Sequence, residues 1–406
     1  MTTPKRKLTT AKAISEAISL EMDADKNVFV MGEDVAKLGG VFGTTTGLLD
    51  KFGPDRVRDT PISETAFIGA AVGAAAAGMR PIVELMFVDF FGVCMDAIYN
   101  LAAKNCYFSG GTQPIPMVLM TSVGGGYGDA GQHSQCLYAT FAHLPGMKVV
   151  IPSNAYDAKG LMHTAVADEN PVIFMLHKNL QGMGWLGTVK SSIVDVPKER
   201  YGVPFGEAAI VREGSDITLV GLGVTVHMAL DAAETLAKEG VEAEVIDLRT
   251  LVPLDRETVF NSVSKTGRLL VIDDDYISYG VSGEIISSVA ERDSSIFKSS
   301  PQRIAFPDIP IPFARPMEQF ALPNKDKIFN TVKKMITNDI LEDGAEAVIV
   351  TWYFEDGDDV EKDAVLADIM IEKASLEFAA PCSGKLTIKK ECEAVLKEGD
   401  IIATIE

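Results

Sequence analysis

Apolar runs alternate with helical patterns along the first 190 residues. Helical spacing of apolar residues occurs in TTAKAISEAISLEMDAD (9–25) and in SETAFIGAAVGAAAAGM (63–79), where Ser63 is a candidate N-cap. The strand candidates are VFVMGED (28–34), RPIVELMF (80–87), IPMVLMTS (115–122) and MKVVIPS (147–153). Because these strands are mostly apolar on both faces, the pattern predicts an α/β domain with a largely parallel sheet over residues 1–195.

A second α/β unit is predicted for residues 196–337. Its strand candidates are ITLVGLG (217–223), EAEVIDLR (242–249) and GRLLVIDDD (267–275). Its helix candidates are VHMALDAAETLAKEG, ending at Gly240, and KDKIFNTVKKMI (325–336). The proline-rich stretch FPDIPIPFARP (306–316) predicts a surface connection between elements.

From residue 338 onward the pattern changes to short strands and tight turns. Residues 360–369 (VEKDAVLADI) are weakly similar to residues 395–405 (VLKEGDIIATI), which predicts a small β-sandwich with pseudo-twofold symmetry. Residues 341–406 contain 17 acidic and six basic residues, a net charge of −11. We therefore expect a separate acidic module over 338–406, joined by a tether too short to let it roam widely.

Composition narrows the classes of partner and compartment. The chain has 406 residues and a net charge of −20, which disfavours nucleic acid and anionic membranes as partners. No apolar run approaches the roughly 18 residues that a membrane-spanning helix needs. The five cysteines are scattered, without a CxxC pair or a metal-ligand array, which favours a reducing, cytoplasmic compartment and argues against a zinc site.

The candidate chemical residues are ambiguous when they are considered one at a time. The turn GLGVTV (221–226) with Asp247 is only a partial dinucleotide fingerprint, because its third glycine is missing. His133 lies three residues before Cys136 in the glycine-rich stretch GDAGQHSQC, where it could be a catalyst or an ordinary loop residue. Glu64 could be a first-turn acid, and Lys373 could be an exposed turn lysine.

A collinear series of motifs resolves much of this ambiguity. They are MGEDV, GGVFGTTTGLLDKFGPDRVRDTPISE, GMRPIVELMFVDF, NLAAKNCYFSGG, HSQ, PGMKVVIPS, DAKGL and DLRTLVPLD. Over roughly residues 7–335 the chain resembles the β subunit of the thiamine diphosphate-dependent first component of 2-oxo acid dehydrogenase complexes. That group includes the pyruvate, branched-chain and acetoin enzymes. The resemblance implies a pyrimidine-binding α/β domain followed by a transketolase C-terminal domain.

The same resemblance implies partners and a divided cofactor site. It predicts an α2β2 heterotetramer that works with the dihydrolipoyl acyltransferase core of a larger complex. In the family, a GDG sequence and a later Asn of the α subunit hold Mg²⁺ and the diphosphate. The chain has no matching element, since EDGDD (355–359) lies in the acidic module. We therefore expect this chain to bind the pyrimidine half of the cofactor and to be inactive alone.

Four positions match the family residues around the aminopyrimidine and the reacting centre. Glu64, in PISE, matches the glutamate that contacts N1′ and promotes the imino form of the ring. Met86 and Phe90, in ELMFVDF, match residues that pack around the ring. His133 matches a histidine at the mouth of the site that handles protons or assists transfer to the lipoyl group, a role that suits imidazole. Cys136 is then expected to be a bystander.

Two further sites are implied by resemblance. The stretch AVADENP (165–171) resembles a structural potassium site in some members, formed around Ala165, Asp168 and Asn170. The C-terminal module resembles a lipoyl domain, with Lys373 as the modified lysine. Here Glu372-Lys373-Ala374 stands where the usual signature is Asp-Lys-Ala, and the Met-Lys-Met of biotin carriers is absent. Lipoyl attachment is therefore favoured over biotin, although a lipoyl domain on a β subunit departs from the usual family pattern.

Three functions remain to be separated. The first is thiamine diphosphate-dependent cleavage of pyruvate, acetoin or another 2-oxo acid, with acyl transfer to lipoamide. The second is transketolase-like ketol transfer, which needs basic phosphate clamps that GDAGQHSQC does not offer. The third is a non-catalytic scaffold that carries a lipoyl module. The context QHSQC resembles the pyruvate enzymes, whereas GGVF and the pair His177-Lys178 resemble the acetoin enzymes.

Overall fold

A computed structural model of the chain describes residues 6–182, 188–342, 347–371, 374–396 and 401–405. The chain forms two compact units, residues 1–331 and residues 332–406. The first unit contains two α/β domains, and the second contains only short strands after the end of its leading helix. The predicted fold class is confirmed: two α/β domains are followed by a small all-β module.

The first α/β domain is built on one parallel sheet. The strands that this domain contributes to the sheet are β2 (Val28–Gly32), β3 (Val57–Asp59), β4 (Arg80–Phe87), β5 (Val118–Val123), β6 (Lys148–Val150) and β7 (Val172–His177). Two further short strands, β1 (Lys7–Leu8) and β8 (Val194–Asp195), form a separate antiparallel pair. Its helices are α1 (Thr10–Ala24), α2 (Leu48–Phe52), α3 (Glu64–Ala76), α4 (Asn105–Phe108), α5 (Tyr138–Ala142) and α6 (Ala155–Ala167). A π-helical segment covers Ala97–Ala102, and short 3₁₀ segments cover Val88–Cys94, Lys178–Leu180 and Lys190–Ser192.

The core of this sheet has the order β6-β7-β5-β4-β2-β3, all parallel, and its strands β2, β4, β5 and β6 are the predicted ones. Their side chains are buried on both faces, since one apolar cluster includes Phe67 and Ile68 of α3 and another includes Ile14 and Ile18 of α1. Ser63 does precede α3, but its hydroxyl donates to the carbonyl of Pro61 at 3.1 Å and does not cap the helix. Ser63 thus occupies the predicted N-cap position without making the side-chain hydrogen bond of a cap.

The strands of the second α/β domain are β9 (Ala209–Arg212), β10 (Ile217–Gly221), β11 (Ala243–Asp247), β12 (Thr250–Val252), β13 (Leu269–Tyr276) and β14 (Gln302–Phe306). Five of them form the domain's own sheet, in the order β14-β13-β10-β11-β9. Its helices are α7 (Val224–Ala237), α8 (Arg256–Thr266), α9 (Val281–Asp293), α10 (Arg315–Ala321) and α11 (Lys325–Glu342), with a 3₁₀ segment at Ser294–Ile296. Helix α7 ends at Ala237, three residues before the predicted end at Gly240.

One strand of the second domain belongs to the sheet of the first. Strand β12 pairs antiparallel with β6, with Thr250 opposite Val150 and Val252 opposite Val149. The amide of Ile151 also donates to the carbonyl of Arg249 at 2.8 Å. The first sheet therefore has seven strands, and its β6 edge is covered by a segment that is distant in sequence.

The C-terminal unit consists of two small sheets. Its strands are β15 (Ala347–Trp352), β16 (Asp359–Val360), β17 (Val365–Ile371), β18 (Ala374–Ala379), β19 (Gly384–Ile388), β20 (Val395–Leu396) and β21 (Ala403–Ile405). The sheet orders are β18-β17-β15-β20 and β16-β19-β21. Small apolar cores form around Ile349 and Leu396 and around Leu366 and Leu386. Within the described ranges, no helix of the protein has both the length and the hydropathy to cross a membrane.

Candidate active site

The predicted pyrimidine-site residues lie near the carboxyl ends of neighbouring parallel strands. Glu64 begins the helix that follows β3, and Phe90 lies in the 3₁₀ segment after β4. His133 lies in the long loop after β5. Because β3, β2, β4 and β5 are adjacent and parallel, their carboxyl ends meet along one edge of the sheet. Ligands of open α/β sheets bind at this edge.

Glu64 is half-buried and has a second carboxyl group near it. Glu33, directly after β2, accepts a hydrogen bond from the backbone amide of Ser63, and its Oε1 atom is buried without a hydrogen-bond partner. Burial, together with the charges of Glu64 and Asp34, raises the pKa of Glu33 above its ordinary value. Glu33 was missed in the sequence, where GED reads only as the end of a strand. Its free oxygen shows that this edge can accept a further hydrogen-bond donor.

An aromatic group surrounds His133. The ring of Phe87 lies 4.9 Å from the imidazole and the ring of Phe90 lies 5.5 Å from it, both edge-on, measured between centroids. Phe87 and Phe90 also contact each other at 5.6 Å. Met86 is half-buried on the same strand as Phe87. The structure thus brings Phe90 and His133 together, with Met86 adjacent in sequence to the Phe87 that joins them.

Asp89 connects the 3₁₀ segment to the loop that carries His133, residues 124–136, which we call the His133 loop. Its Oδ1 atom accepts hydrogen bonds from the backbone amide of Gln135 at 3.3 Å and from the Gln135 side chain at 2.9 Å. Its Oδ2 atom is buried without a partner, and burial raises the pKa of Asp89 despite those hydrogen bonds. Thr65, next to Glu64, donates to the carbonyl of Val93 at 2.6 Å. The N-terminus of α3 and the His133 loop are therefore both attached to the 3₁₀ segment.

Lys178 is a second residue that sequence reasoning missed. Its ammonium group is buried and donates to the carbonyl of His133 at 2.6 Å and to Asp129 at 2.9 Å. Its Nζ atom also lies over two aromatic rings, 5.5 Å from the ring centroid of Phe87 and 5.4 Å from that of Tyr127. A buried lysine needs such partners because an unpaired charge is costly away from water. The sequence signal was the charged pair His177-Lys178 at the end of an apolar strand.

Cys136 is not an activated nucleophile. Its side chain is buried, and burial with the charges of Asp274 and Asp275 raises the pKa of the thiol well above its ordinary value. Asp274 is also fully buried and accepts hydrogen bonds from His177 at 2.8 Å and from the hydroxyl of Tyr138 at 3.1 Å. These groups form a structural network beneath the loop and not a catalytic pair with His133.

The predicted potassium segment already has donors on several of its oxygens. The carbonyl of Ala165 accepts from the amide of Asp168 at 3.3 Å, and the carboxylate of Asp168 accepts from Lys148 and Asn170. The guanidinium of Arg80 donates to the carbonyl of Asp168 at 3.1 Å. A potassium ion there would have to share or displace these contacts, so the site stays a prediction.

The partial dinucleotide fingerprint and Lys373 are the remaining candidates from the sequence. Asp247 is fully buried and accepts from the hydroxyl of Ser153 at 2.5 Å, so the partial fingerprint at 221–226 does not present its acid to a ribose. Lys373 lies outside the described residues. The strands that flank it pair with Ile371 opposite Ala374. A cavity of about 680 Å³, lined by His143, Tyr279 and others, contains none of the predicted site residues.

The chain matches three family profiles in succession. Residues 6–182 match the transketolase pyrimidine-binding domain, and residues 206–328 match the transketolase C-terminal domain. Residues 333–405 match a profile described as biotin-requiring enzyme.

Relatives over the first two domains are β subunits of dehydrogenases. The β subunit of acetoin:2,6-dichlorophenolindophenol oxidoreductase from Cupriavidus necator is 47% identical over 339 residues, 81% of this chain and 97% of that protein. The chain belongs to the β-subunit family of acetoin and 2-oxo acid dehydrogenases. Other members are the pyruvate dehydrogenase β subunit of Rickettsia felis, 43% identical over 81% of this chain and 98% of its own length, and the 2-oxoisovalerate dehydrogenase β subunit of Bacillus subtilis, 42% identical over 80% and 97%.

A solved structure supports the fold of this dehydrogenase β subunit. A split-gene transketolase, described as an inactive β4 tetramer, superposes with a TM-score of 0.64 and covers 82% of this chain and 99% of its own. Its sequence is 22% identical, so the likeness shows the fold alone. The predicted family and fold class are both confirmed.

Proposed function

We propose that this chain forms the pyrimidine-binding half of a thiamine diphosphate site and that Glu64, Met86, Phe90 and His133 line it. The observation that carries the proposal is the meeting of Glu64, the aromatic group around His133 and the unpartnered oxygen of Glu33 at one sheet edge. A flat heteroaromatic ring with basic nitrogen atoms fits such a set, because it needs apolar contact and a carboxyl partner.

The residues of the chain would orient the cofactor and control protons. Bound thiamine diphosphate supplies the carbanion chemistry that cleaves a bond next to a carbonyl group. Glu64 would hold the proton shared between its carboxyl group and a pyrimidine nitrogen, while Met86 and Phe90 exclude water from the ring. His133, held between Phe87 and Phe90, would exchange a proton with the substrate or with the lipoyl thiol.

An α subunit would complete the site. The relatives are named as β subunits, which supports an α partner, and we propose an α2β2 assembly that delivers acyl groups to a dihydrolipoyl acyltransferase core. The diphosphate and Mg²⁺ would be held by α. A potassium ion near Ala165, Asp168 and Asn170 remains part of the proposal. Since all five cysteines are free thiols, we also propose a cytoplasmic location.

Acetoin is the first substrate to test, and pyruvate is the second. The relative at 47% identity is named as an acetoin oxidoreductase, and the pyruvate relative is at 43%. The buried pair His177-Lys178, which suggested the acetoin type, lies directly beside the His133 loop. In this position the pair would act close to the proposed reacting centre.

The test replaces Glu64 with glutamine in the chain co-expressed with its α subunit. We expect E64Q to lower the turnover of acetoin or pyruvate with an artificial electron acceptor by about 100-fold or more, the usual size of a lost acid–base contribution. Titration calorimetry would show whether thiamine diphosphate still binds. The matched control is Glu257→Gln, another first-turn glutamate, which is exposed in α8 and should leave turnover roughly unchanged.

Full turnover by the E64Q variant would contradict the proposal and would favour a non-catalytic scaffold subunit. The wild-type assembly could bind thiamine diphosphate and yet turn over none of acetoin, pyruvate and the branched-chain 2-oxo acids. That result would leave the proposed cofactor site standing but would exclude the proposed substrates.

A further inference from the structure

The His133 loop, residues 124–136, lies between β5 and α5. Its base is closed by the amide of Gly124, which donates to the carbonyl of Gln135 at 3.0 Å. The second α/β domain contacts its outer part. Glu318, in α10, accepts hydrogen bonds from the amides of Gly126 and Gly128, each at 2.8 Å and each on a different carboxylate oxygen.

The glycines of this loop make that contact possible. Gly126 and Gly128 have φ angles of 111° and 75°, which side-chain-bearing residues rarely adopt. A Cβ atom on Gly125 would lie 2.9 Å from Oε1 of Glu318. The glycine run therefore lets two backbone amides point at one carboxylate. Arg315, one turn earlier in α10, donates to the carbonyl of Tyr127 at 3.0 Å, so the helix binds both polar groups of the Tyr127–Gly128 peptide as well as the N–H of Gly126.

Burial makes the hydrogen bonds of Glu318 more important, because water cannot replace them. Its side chain is fully buried, and a carboxylate in that position depends on its hydrogen-bond donors. From the first domain, Lys178 donates to Asp129 and to the carbonyl of His133 itself. The His133 loop is thus held between a buried anion from one domain and a buried cation from the other.

We infer that Glu318 is a positioning residue that fixes the His133 loop, so that the transketolase C-terminal domain sets the geometry of His133. The inference rests on the proposed role of His133 only for its catalytic consequence. The conformational part, that Glu318 orders residues 124–136, concerns this chain alone.

Glutamine at position 318 is the informative change. The amide has nearly the shape of the carboxylate, but its NH₂ group would face a backbone N–H, donor against donor. One of the two contacts is lost and the other is weakened because the acceptor is no longer charged. Aspartate at this position keeps the charge but is one methylene shorter, so it can satisfy one amide and should give an intermediate result.

The first experiment measures hydrogen–deuterium exchange of the full chain without cofactor or partner. In E318Q, peptides covering 124–136 should exchange roughly tenfold faster, with E318D between it and wild type. The matched control is Glu244→Gln, a fully buried glutamate of the same domain whose partner is Lys265, and it should leave exchange in 124–136 unchanged. A folded E318Q or E318D variant with wild-type exchange in this loop would overturn the inference.

The second experiment is a double-mutant cycle in the assembly with α. We expect E318Q to lower kcat by about 10- to 100-fold with little change in KM, the cost of misplacing a reacting group. In a His133→Ala background it should cause no further loss, whereas any loss caused by E244Q should multiply. Losses by E318Q that multiply with H133A would show a merely structural role. A wild-type assembly without any turnover would contradict the proposed function. The exchange experiment would still decide whether Glu318 orders the His133 loop.

Discussion

At the scale of single residues, the site depends on buried charges whose partners come from distant parts of the chain. Glu64 could be predicted because a local motif contains it. The contacts of Lys178 and Glu33 could not, although the sequence motifs contain both residues, because their neighbours at 129, 133 and 63 come near only on folding.

Glu84 provides a pH test at this scale. It is fully buried in β4, and burial raises its pKa to about 7 although the hydroxyl of Thr44 donates to it at 2.7 Å. Between pH 4.5 and about 7 the native carboxyl binds a proton that the unfolded one has lost, so wild-type stability falls as pH rises through this window. Glutamine is neutral throughout. We therefore expect E84Q to gain stability relative to wild type between pH 5 and pH 8, by up to about 3 kcal/mol.

The measurement is the urea midpoint of each protein at the two pH values. Glu234→Gln, on the exposed side of α7, is the control and should show no such pH-dependent difference. A constant offset between E84Q and wild type across this range would contradict the raised pKa of Glu84.

At the scale of elements, the apolar pattern was sufficient for most of the long, buried strands. Strands β2, β4 and β5 were predicted, because continuous apolar runs are typical of strands covered on both faces, whereas the equally buried β7 was missed. Strand β12 has three residues, too few for any period, and its partner β6 is 100 residues earlier. The position of the His133 loop was also beyond prediction, since Glu318 follows it by about 190 residues.

Gly146, in the turn before β6, tests how tightly elements pack around the π-helical segment. Its φ angle is 102°, and a Cβ atom there would lie 1.9 Å from the carbonyl oxygen of Ala103. We expect Gly146→Ala to cost more than about 2 kcal/mol, because the backbone must move. Gly47 is the matched control, with a left-handed φ of 82° and no atom within 4 Å of its Cβ, so G47A should cost only about 1 kcal/mol of strain. Equal melting temperatures for the two variants would show that the turn is free to shift.

At the scale of the whole molecule, an acyl-carrier type of module is joined to an enzyme subunit. Helix α11 ends at Glu342 and β15 begins at Ala347, which leaves a connection of only a few residues. The unit after it contains much of the net negative charge of the chain. A short tether raises the effective concentration of the module near its own subunit and limits its reach elsewhere.

Lys373 is the residue that tests this arrangement. We expect mass spectrometry to find a lipoyl group on the peptide that contains Lys373 and to find none there in K373R. Artificial-acceptor turnover should survive in K373R, since that assay bypasses the lipoyl group. The control is Lys385→Arg, in β19, which should keep the modification. Biotin at Lys373, or an unmodified lysine in cells that lipoylate other proteins, would contradict the lipoyl assignment.

The pairing of β12 with β6 also constrains how the protein can be made. During synthesis the first domain leaves the ribosome with β6 exposed, and the strand that covers it follows only after another 100 residues. An uncovered strand edge invites pairing with other chains. The first α/β domain therefore needs a segment of the second to complete its sheet. A gene split between the two domains would give an N-terminal fragment with an open, aggregation-prone strand edge.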